Sequence, residues 1–305
     1  MTALYAIETI NQKMQTNPKQ FVQTCEETYD RQVRALVHRL LNEKNTQLLM
    51  LAGPSSSGKT TTARLLQSGL AAYGRGAITI SLDDFYREKL DHLTFEDGTP
   101  DYETVHSLDV EYIIHCINAL LRQGKALLPR FSFQTKKREE HLVETTISPG
   151  TVVIVEGLHA LNPLILEAIE TDRITKAYVS VSSRITRHGE IFLTKRDLRF
   201  VRRLVRDYQF RASSVDYTFY LWNGVRKGED RYLFPFSNSA DVRIDSIHPY
   251  EPCVFKKAAT SLLKQIAPGS AYYDDAQSLL HKLSAFAASD LSCVPKDSLL
   301  REFLG

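Results

Sequence analysis

Residues 48–62 read Leu-Leu-Met-Leu-Ala-Gly-Pro-Ser-Ser-Ser-Gly-Lys-Thr-Thr-Thr, and no other stretch limits the fold so tightly. An apolar run with the composition of a buried parallel strand enters a GxxxxGKT loop. From Thr61 to Ala72 the apolar residues Ala63, Leu65, Leu66 and Leu70 then recur at helical spacing. Strand, loop and helix in that order make a P-loop. Gly53, Pro54, Ser55, Ser56, Ser57 and Gly58 bend the main chain so that amide N–H groups and the positive end of the helix face a phosphate. Lys59 is placed to reach the β and γ phosphates and Thr60 to ligate Mg²⁺, and Thr61 completes the residues expected to bind the nucleotide. The bland alternative, a Gly/Ser-rich turn that binds nothing, leaves the complete motif between a strand and a helix unexplained.

A chain of 305 residues with 43% hydrophobic and 24% charged residues accommodates one large α/β domain with appendages. A net charge of +2 gives no bulk electrostatic case for nucleic-acid or membrane partners. Cys25, Cys116, Cys253 and Cys293 lack metal-ligand spacing and read as reduced thiols. The stretch MTALYAIETINQKMQ has no basic start followed by an apolar core, and no apolar run approaches membrane-spanning length. The expectation is a cytoplasmic protein, with assembly into a homo-oligomer left open.

In chain order, residues 1–18 are polar and are expected as a loosely attached arm. Phe21, Val22, Cys25, Tyr29, Val33, Leu36, Val37, Leu40 and Leu41 predict a long amphipathic helix over Lys19–Asn45. Residues 1–45 are therefore set apart from a catalytic domain over 46–305. Ala77–Leu82 predicts a second strand that runs into Asp83-Asp84-Phe85-Tyr86, and acids at the carboxyl end of such a strand sit where open α/β sheets gather ligands. Phe95–Ser107 reads as a polar loop and Leu108–Arg122 as a helix, followed by a short extended segment and turn through Lys136-Lys137-Arg138. Thr151–Val155 is the clearest strand; Glu156 at its tip stands where a Walker B acid would, able to hold Mg²⁺ or order the nucleophile. Ala177–Ser182 is a fourth strand candidate.

Arg196–Arg211, RDLRFVRRLVRDYQFR, predicts a helix whose apolar face is Leu198, Val201, Leu204, Val205 and Tyr208. Arg199, Arg202, Arg203 and Arg206 remain for the phosphates of a nucleotide, as a lid over residues 194–215. Arg226–Phe236 reads as a returning loop and Val242–Asp245 as a short strand. Helices over Val254–Gln265 and Ala271–Ala287 and a docked tail over Pro295–Gly305 fill a helical region from about residue 250.

The stretches GPSSSGKTT, SLDDFY, DYETVHSLD, PRFSF with Arg138, VIVEGLHALN and DLRFVRRLVRDYQFR together resemble the uridine kinase and phosphoribulokinase family of P-loop kinases. The resemblance covers about residues 20–305. It is closest to bacterial uridine-kinase-like proteins in which this domain often follows a TGS domain, for which the chain shows no counterpart. It implies a three-layer P-loop NTPase-type fold around a mainly parallel sheet, with ATP and Mg²⁺ as cofactors. It also implies transfer of the γ-phosphoryl of ATP to a sugar hydroxyl, usually the 5′-hydroxyl of a nucleoside. Carried over by position, Asp83 matches the general base, with a share in holding the metal, and Tyr86 an aromatic near the acceptor. Glu103 falls where nucleoside kinases place an Asp on the ribose hydroxyls. Glu156 matches the acid of the EG step, and Arg199, Arg202 and Arg206 match lid arginines. Phe131-Ser132-Phe133 and Lys136 stand where uridine kinases read the pyrimidine, so Phe131, Lys136 and Arg138 are expected around the acceptor. The basic run at 136–138 favours a phosphorylated sugar as the alternative acceptor, and a nucleotide-binding regulatory module is a third reading.

Overall fold

The computed structural model describes residues 3–43, 45–88, 93–132, 134–135 and 137–305. Five parallel strands form the central sheet: β1 (Leu48–Ala52), β2 (Ala77–Ser81), β3 (Val152–Gly157), β4 (Ile174–Ser180) and β5 (Val242–Asp245), in the order β5-β4-β1-β3-β2. All five residues of β1 are fully buried, which is why this strand is an unbroken apolar run rather than an alternating one. Its side chains alternate between two cores. Leu49 and Leu51 face one, Leu48, Met50 and Ala52 the other.

The first core is closed by α2 (Pro18–Asn42), α3 (Lys59–Ala72), α5 (Lys195–Phe210), α7 (Glu251–Leu263) and α8 (Tyr273–Ser284); the second is closed by α4 (Val110–Gln123). The sheet is thus the middle of three layers, as expected. Register brings Ala52 opposite Gly157 and both Leu51 and Ser81 opposite Glu156, so β1, β2 and β3 end level with one another. Loops leaving that edge share one crevice.

Several expectations change. The amino-terminal arm is packed structure: Leu4–Ala6 pairs in parallel with Arg184–Arg187, and α1 (Ile7–Thr16) buries Ile7, Ile10 and Met14. Its apolar residues are few but share one helix face, and that suffices to dock it. Arg184–Arg187 and Glu190–Leu193 form a hairpin that the sequence reading passed over. The expected loop at 226–236 belongs largely to α6 (Val215–Tyr232), an 18-residue helix capped by Ser214, whose Oγ accepts from the Tyr217 amide. The polar loop at 95–107 is packed: Phe95, Asp101, Thr104 and Val105 are all buried. Among the described residues no helix is long and apolar enough to cross a membrane.

Candidate active site

The phosphate loop leaves β1 at Gly53 and becomes α3 at Lys59. Gly58 takes a left-handed φ of 85°, which aims the following amides into the crevice. The amides of Gly58, Lys59 and Thr60 meet no protein acceptor among the described residues, and the buried hydroxyls of Ser56 and Ser57 have no hydrogen-bond partner there. An anion with several oxygens is the kind of group that satisfies such a cradle, so the residues fit a nucleotide polyphosphate. Lys59 extends along the loop and donates to the Pro54 carbonyl at 3.2 Å.

Glu156 lies fully enclosed at the tip of β3. Its Oε1 accepts from Thr60 Oγ1 at 3.0 Å and Ser81 Oγ at 2.9 Å. Burial raises its pKa and Asp83 adds to the rise, while Lys59 and the two hydroxyls oppose it. A hydroxyl beside a carboxylate is a hard-oxygen donor set that suits Mg²⁺. Among the described residues no group of three or more His, Cys, Asp or Glu is arranged to hold a metal ion by itself.

A cavity of about 730 Å³ opens from this loop. Lys59, Thr60, Asp83 and Glu156 line it together with Tyr86, Glu103 and Phe131, the residues of its acceptor wall as the family resemblance assigns them. Asp83 and Asp84 have divided roles. Asp83 faces the cavity, whereas Asp84 accepts from the Phe131 amide and the Arg130 guanidinium, pinning the segment that carries Phe131. Tyr86 and Phe131 meet at 5.5 Å between ring centroids. Glu103 is pushed up to about 7, first by burial and then by Glu229 and Asp83, against the pull of Arg203 and Lys59. Its backbone is held by His159, whose Nε2 lies 2.8 Å from the Glu103 carbonyl. Burial lowers that imidazole's pKa to about 4, so it stands neutral, donating through Nε2 while Nδ1 accepts from Asn162.

The arginine helix is where the structure departs most from expectation. Arg199 and Arg202 do not line the cavity. Arg199 forms a bidentate pair with the fully buried Glu229 and donates to the Ser55 carbonyl at 2.9 Å. Arg202 pairs with Glu251 and donates to the carbonyls of Ser246 and Ser56. Both brace the phosphate loop from behind. The cavity is met instead by Arg203, Arg206 and Arg211, gathered around Asp207. Burial raises the pKa of Asp207, but the three guanidinium groups outweigh it and hold the carboxylate low. Arg138 also lies off the cavity: it donates to the Phe85 and Tyr86 carbonyls and pairs with Asp109. Lys136 lies outside the described residues.

Sequence reasoning missed α6 altogether. Gly228 stands so close to the acceptor wall that a Cβ there would come within 2.2 Å of Glu103 Cβ. Glu229 accepts from the Ser55 amide at 2.9 Å, and Tyr232 donates to the buried Asp101. Tyr217, Tyr220 and Leu221 also line the cavity. The signal was Phe219, Trp222 and Val225, three apolar residues three apart.

A parallel sheet whose central strand feeds a phosphate loop, with Glu156 at the tip of the adjoining β3 and Asp83 just past the tip of β2 beyond it, defines a P-loop nucleotide-binding enzyme. The sequence matches the model of the Phosphoribulokinase / Uridine kinase family over residues 48–250, and the chain belongs to that family. It is a kinase. Similar proteins include a uridine kinase of Macrococcus caseolyticus, 30% identical over 203 residues that cover 65% of this chain and 87% of that one. A uridine kinase of Staphylococcus aureus strain JH9 is 29% identical over 205 residues, 66% of this chain and 88% of its own. Among solved structures, phosphoribulokinase from Rhodobacter spheroides gives a TM-score of 0.44 at 14% identity, covering 68% of this chain and 74% of that one.

Proposed function

We propose that this kinase moves the γ-phosphoryl of ATP to a hydroxyl of a nucleoside or a closely related sugar metabolite. The observation that carries the reading is a single cavity lined by the phosphate loop and Lys59, by Asp83, and by Glu103, Tyr86 and Phe131. Loop amides and Lys59 bind the polyphosphate; Thr60 and Glu156 hold Mg²⁺, with Asp83 near. Mg²⁺, when bound, neutralises phosphate charge. Asp83 accepts the acceptor hydroxyl's proton as that oxygen forms its bond to phosphorus; the bond to the bridging oxygen breaks and ADP leaves with the electron pair. Arg203, Arg206 and Arg211 balance charge on the moving group. Glu103 takes hydrogen bonds from sugar hydroxyls, with Tyr86 and Phe131 against the ring.

A neutral acceptor is favoured over a sugar phosphate because Arg138, paired with Phe131 across the hairpin, and the adjoining Arg130 are engaged by Asp109 and Asp84. The uridine kinases named above point the same way. The test incubates the protein with ATP and Mg²⁺ against pooled nucleosides, free sugars and sugar phosphates, scored by mass spectrometry. A nucleoside or free sugar should gain phosphate, and Asp83→Asn should lower turnover by about 10²–10⁴-fold with ATP affinity retained. Tight ATP binding without transfer to any acceptor refutes the reading, and transfer only to sugar phosphates refutes the choice of acceptor.

A further inference from the structure

The last residues of the chain reach the phosphate loop. Thr61 lies in the first turn of α3, one residue beyond the three open amides. Its own amide and its Oγ1 both donate to one carboxylate oxygen of Glu302, at 3.2 Å and 2.6 Å. Glu302 belongs to the short helix α9 (Arg301–Leu304) and lines the same cavity as Lys59 and Asp83.

The segment bearing Glu302 is anchored independently of that carboxylate. Leu299, Leu300 and Phe303 are buried, and Leu299 packs so tightly on Gly58 that a Cβ there would lie 2.3 Å from its Cδ1. Phe303 receives the Arg202 guanidinium at 5.4 Å, and Ser298 donates to Glu26 at 2.8 Å. The main chain is therefore fixed, and the Glu302 side chain alone can swing.

An anion seated on first-turn donors occupies what a nucleotide phosphate needs. Successive amides at this helix end converge on one phosphate chain, so a donor that engages Gly58 to Thr60 brings its next phosphate to Thr61. A carboxylate remaining on the Thr61 donors would stand beside that phosphate, and like charges repel.

We infer that Glu302 is an affinity-determining residue of the donor site, an internal carboxylate that holds the Thr61 donors until a nucleotide phosphate displaces it. This rests on the donor reading above. Donor affinity is thereby set below what the loop alone would give, and the nucleotide competes with the protein's own tail for one pair of hydrogen-bond donors.

The experiment measures binding by calorimetry of MgATP, and of magnesium tripolyphosphate as a phosphate chain without base or ribose, to the full chain and to Glu302→Gln and Glu302→Ala. Thermal melts without ligand verify that each variant is folded, and Gln preserves the shape if Ala does not fold. Both ligands should bind the variants about tenfold more tightly than wild type. If the variants bind MgATP more weakly while tripolyphosphate is unchanged, Glu302 contacts ribose or base and the inference is overturned. Equal affinity of wild type and variants overturns it as well. Failure of every form to bind either ligand removes the donor reading and this inference together.

Discussion

Glu229 offers the sharpest test of how the phosphate loop is held. Its carboxylate has no exposure, accepts both Arg199 terminal nitrogens, one of them at 2.7 Å, and takes the Ser55 amide at 2.9 Å. Arg199 is also stacked on Trp222 at 5.4 Å. Replacing Glu229 by Ala leaves a buried guanidinium without its counter-charge, which costs roughly 3–5 kcal/mol. For a chain of 305 residues that lowers the melting temperature by about 5–8 °C. The double variant Arg199→Met with Glu229→Met removes both charges and should recover most of that loss, since an apolar pair of similar volume often matches a buried ion pair. It does not restore the acceptor for the Ser55 amide. A loop displaced by about 1 Å can lose about 10²-fold in rate, so the double variant should be stable yet slow, with MgATP affinity down at least about tenfold. Melting by circular dichroism and binding by calorimetry separate the two effects. A double variant that is both as stable and as active as wild type would falsify the claim that this pair positions the loop.

Acceptor binding should depend on pH through Glu103, whose folded pKa stands at about 7 against an ordinary 4.5. Arg203 and Lys59 oppose that rise, while Glu229 and Asp83 add to it. At saturating MgATP the acceptor KM should fall about fivefold from pH 6 to pH 7, about tenfold by pH 8, and level off above that, because only the ionised carboxylate accepts from two hydroxyls. Glu103→Gln should flatten the profile; a wild-type KM that is level across this range contradicts the assignment. Stability runs in the opposite sense. A raised folded pKa means the folded chain holds a proton that the unfolded chain has released, so this contribution is present below pH 4.5 and is lost as pH rises through 7. Gly228→Ala should raise the acceptor KM at least about tenfold by pushing Glu103 aside, with MgATP affinity within about twofold; equal changes in both would mean that the helix, not the acceptor wall, had moved.

The sheet and the phosphate loop were legible because local pattern decides them: a strand buried on both faces must be apolar throughout, and GxxxxGKT needs a helix after it. The acceptor wall was legible only in part. Glu103 and Phe131 follow from their neighbours in sequence, but Gly224, Gly228 and the run Arg226-Lys227-Gly228-Glu229-Asp230-Arg231 carry the composition of a loop. Glycine disfavours an isolated helix, and here packing overrides it. Glu103 needs the space that a missing side chain leaves at 228, so the residues that argue against α6 are the ones that let it dock.

The arginine helix fails for a different reason, and helical geometry shows why. At 100° per residue Arg199, Arg202, Arg203 and Arg206 share one arc about 100° wide, so they read as one stripe. Height and rotation separate them together: Arg199 and Arg206 lie about 10 Å apart along the axis, whereas Arg202 and Arg203, only about 1.5 Å apart in height, stand about 100° apart at the two ends of the arc. The lower pair meets the back of the loop at Ser55 and Ser56, and the upper residues, with Arg211, reach the cavity. The carboxylates that take the lower pair out of solvent lie 30 and 49 residues further along the chain, in α6 and α7. No window of sequence around 199–206 contains them. A guanidinium with a buried partner of opposite charge cannot also swing over a phosphate without abandoning that partner, at the cost worked out for Glu229. Charge compensation therefore divides one arginine stripe into two residues that each take a whole carboxylate and brace the loop, and others that share the single carboxylate of Asp207 with Arg211 and line the cavity with positive charge in excess.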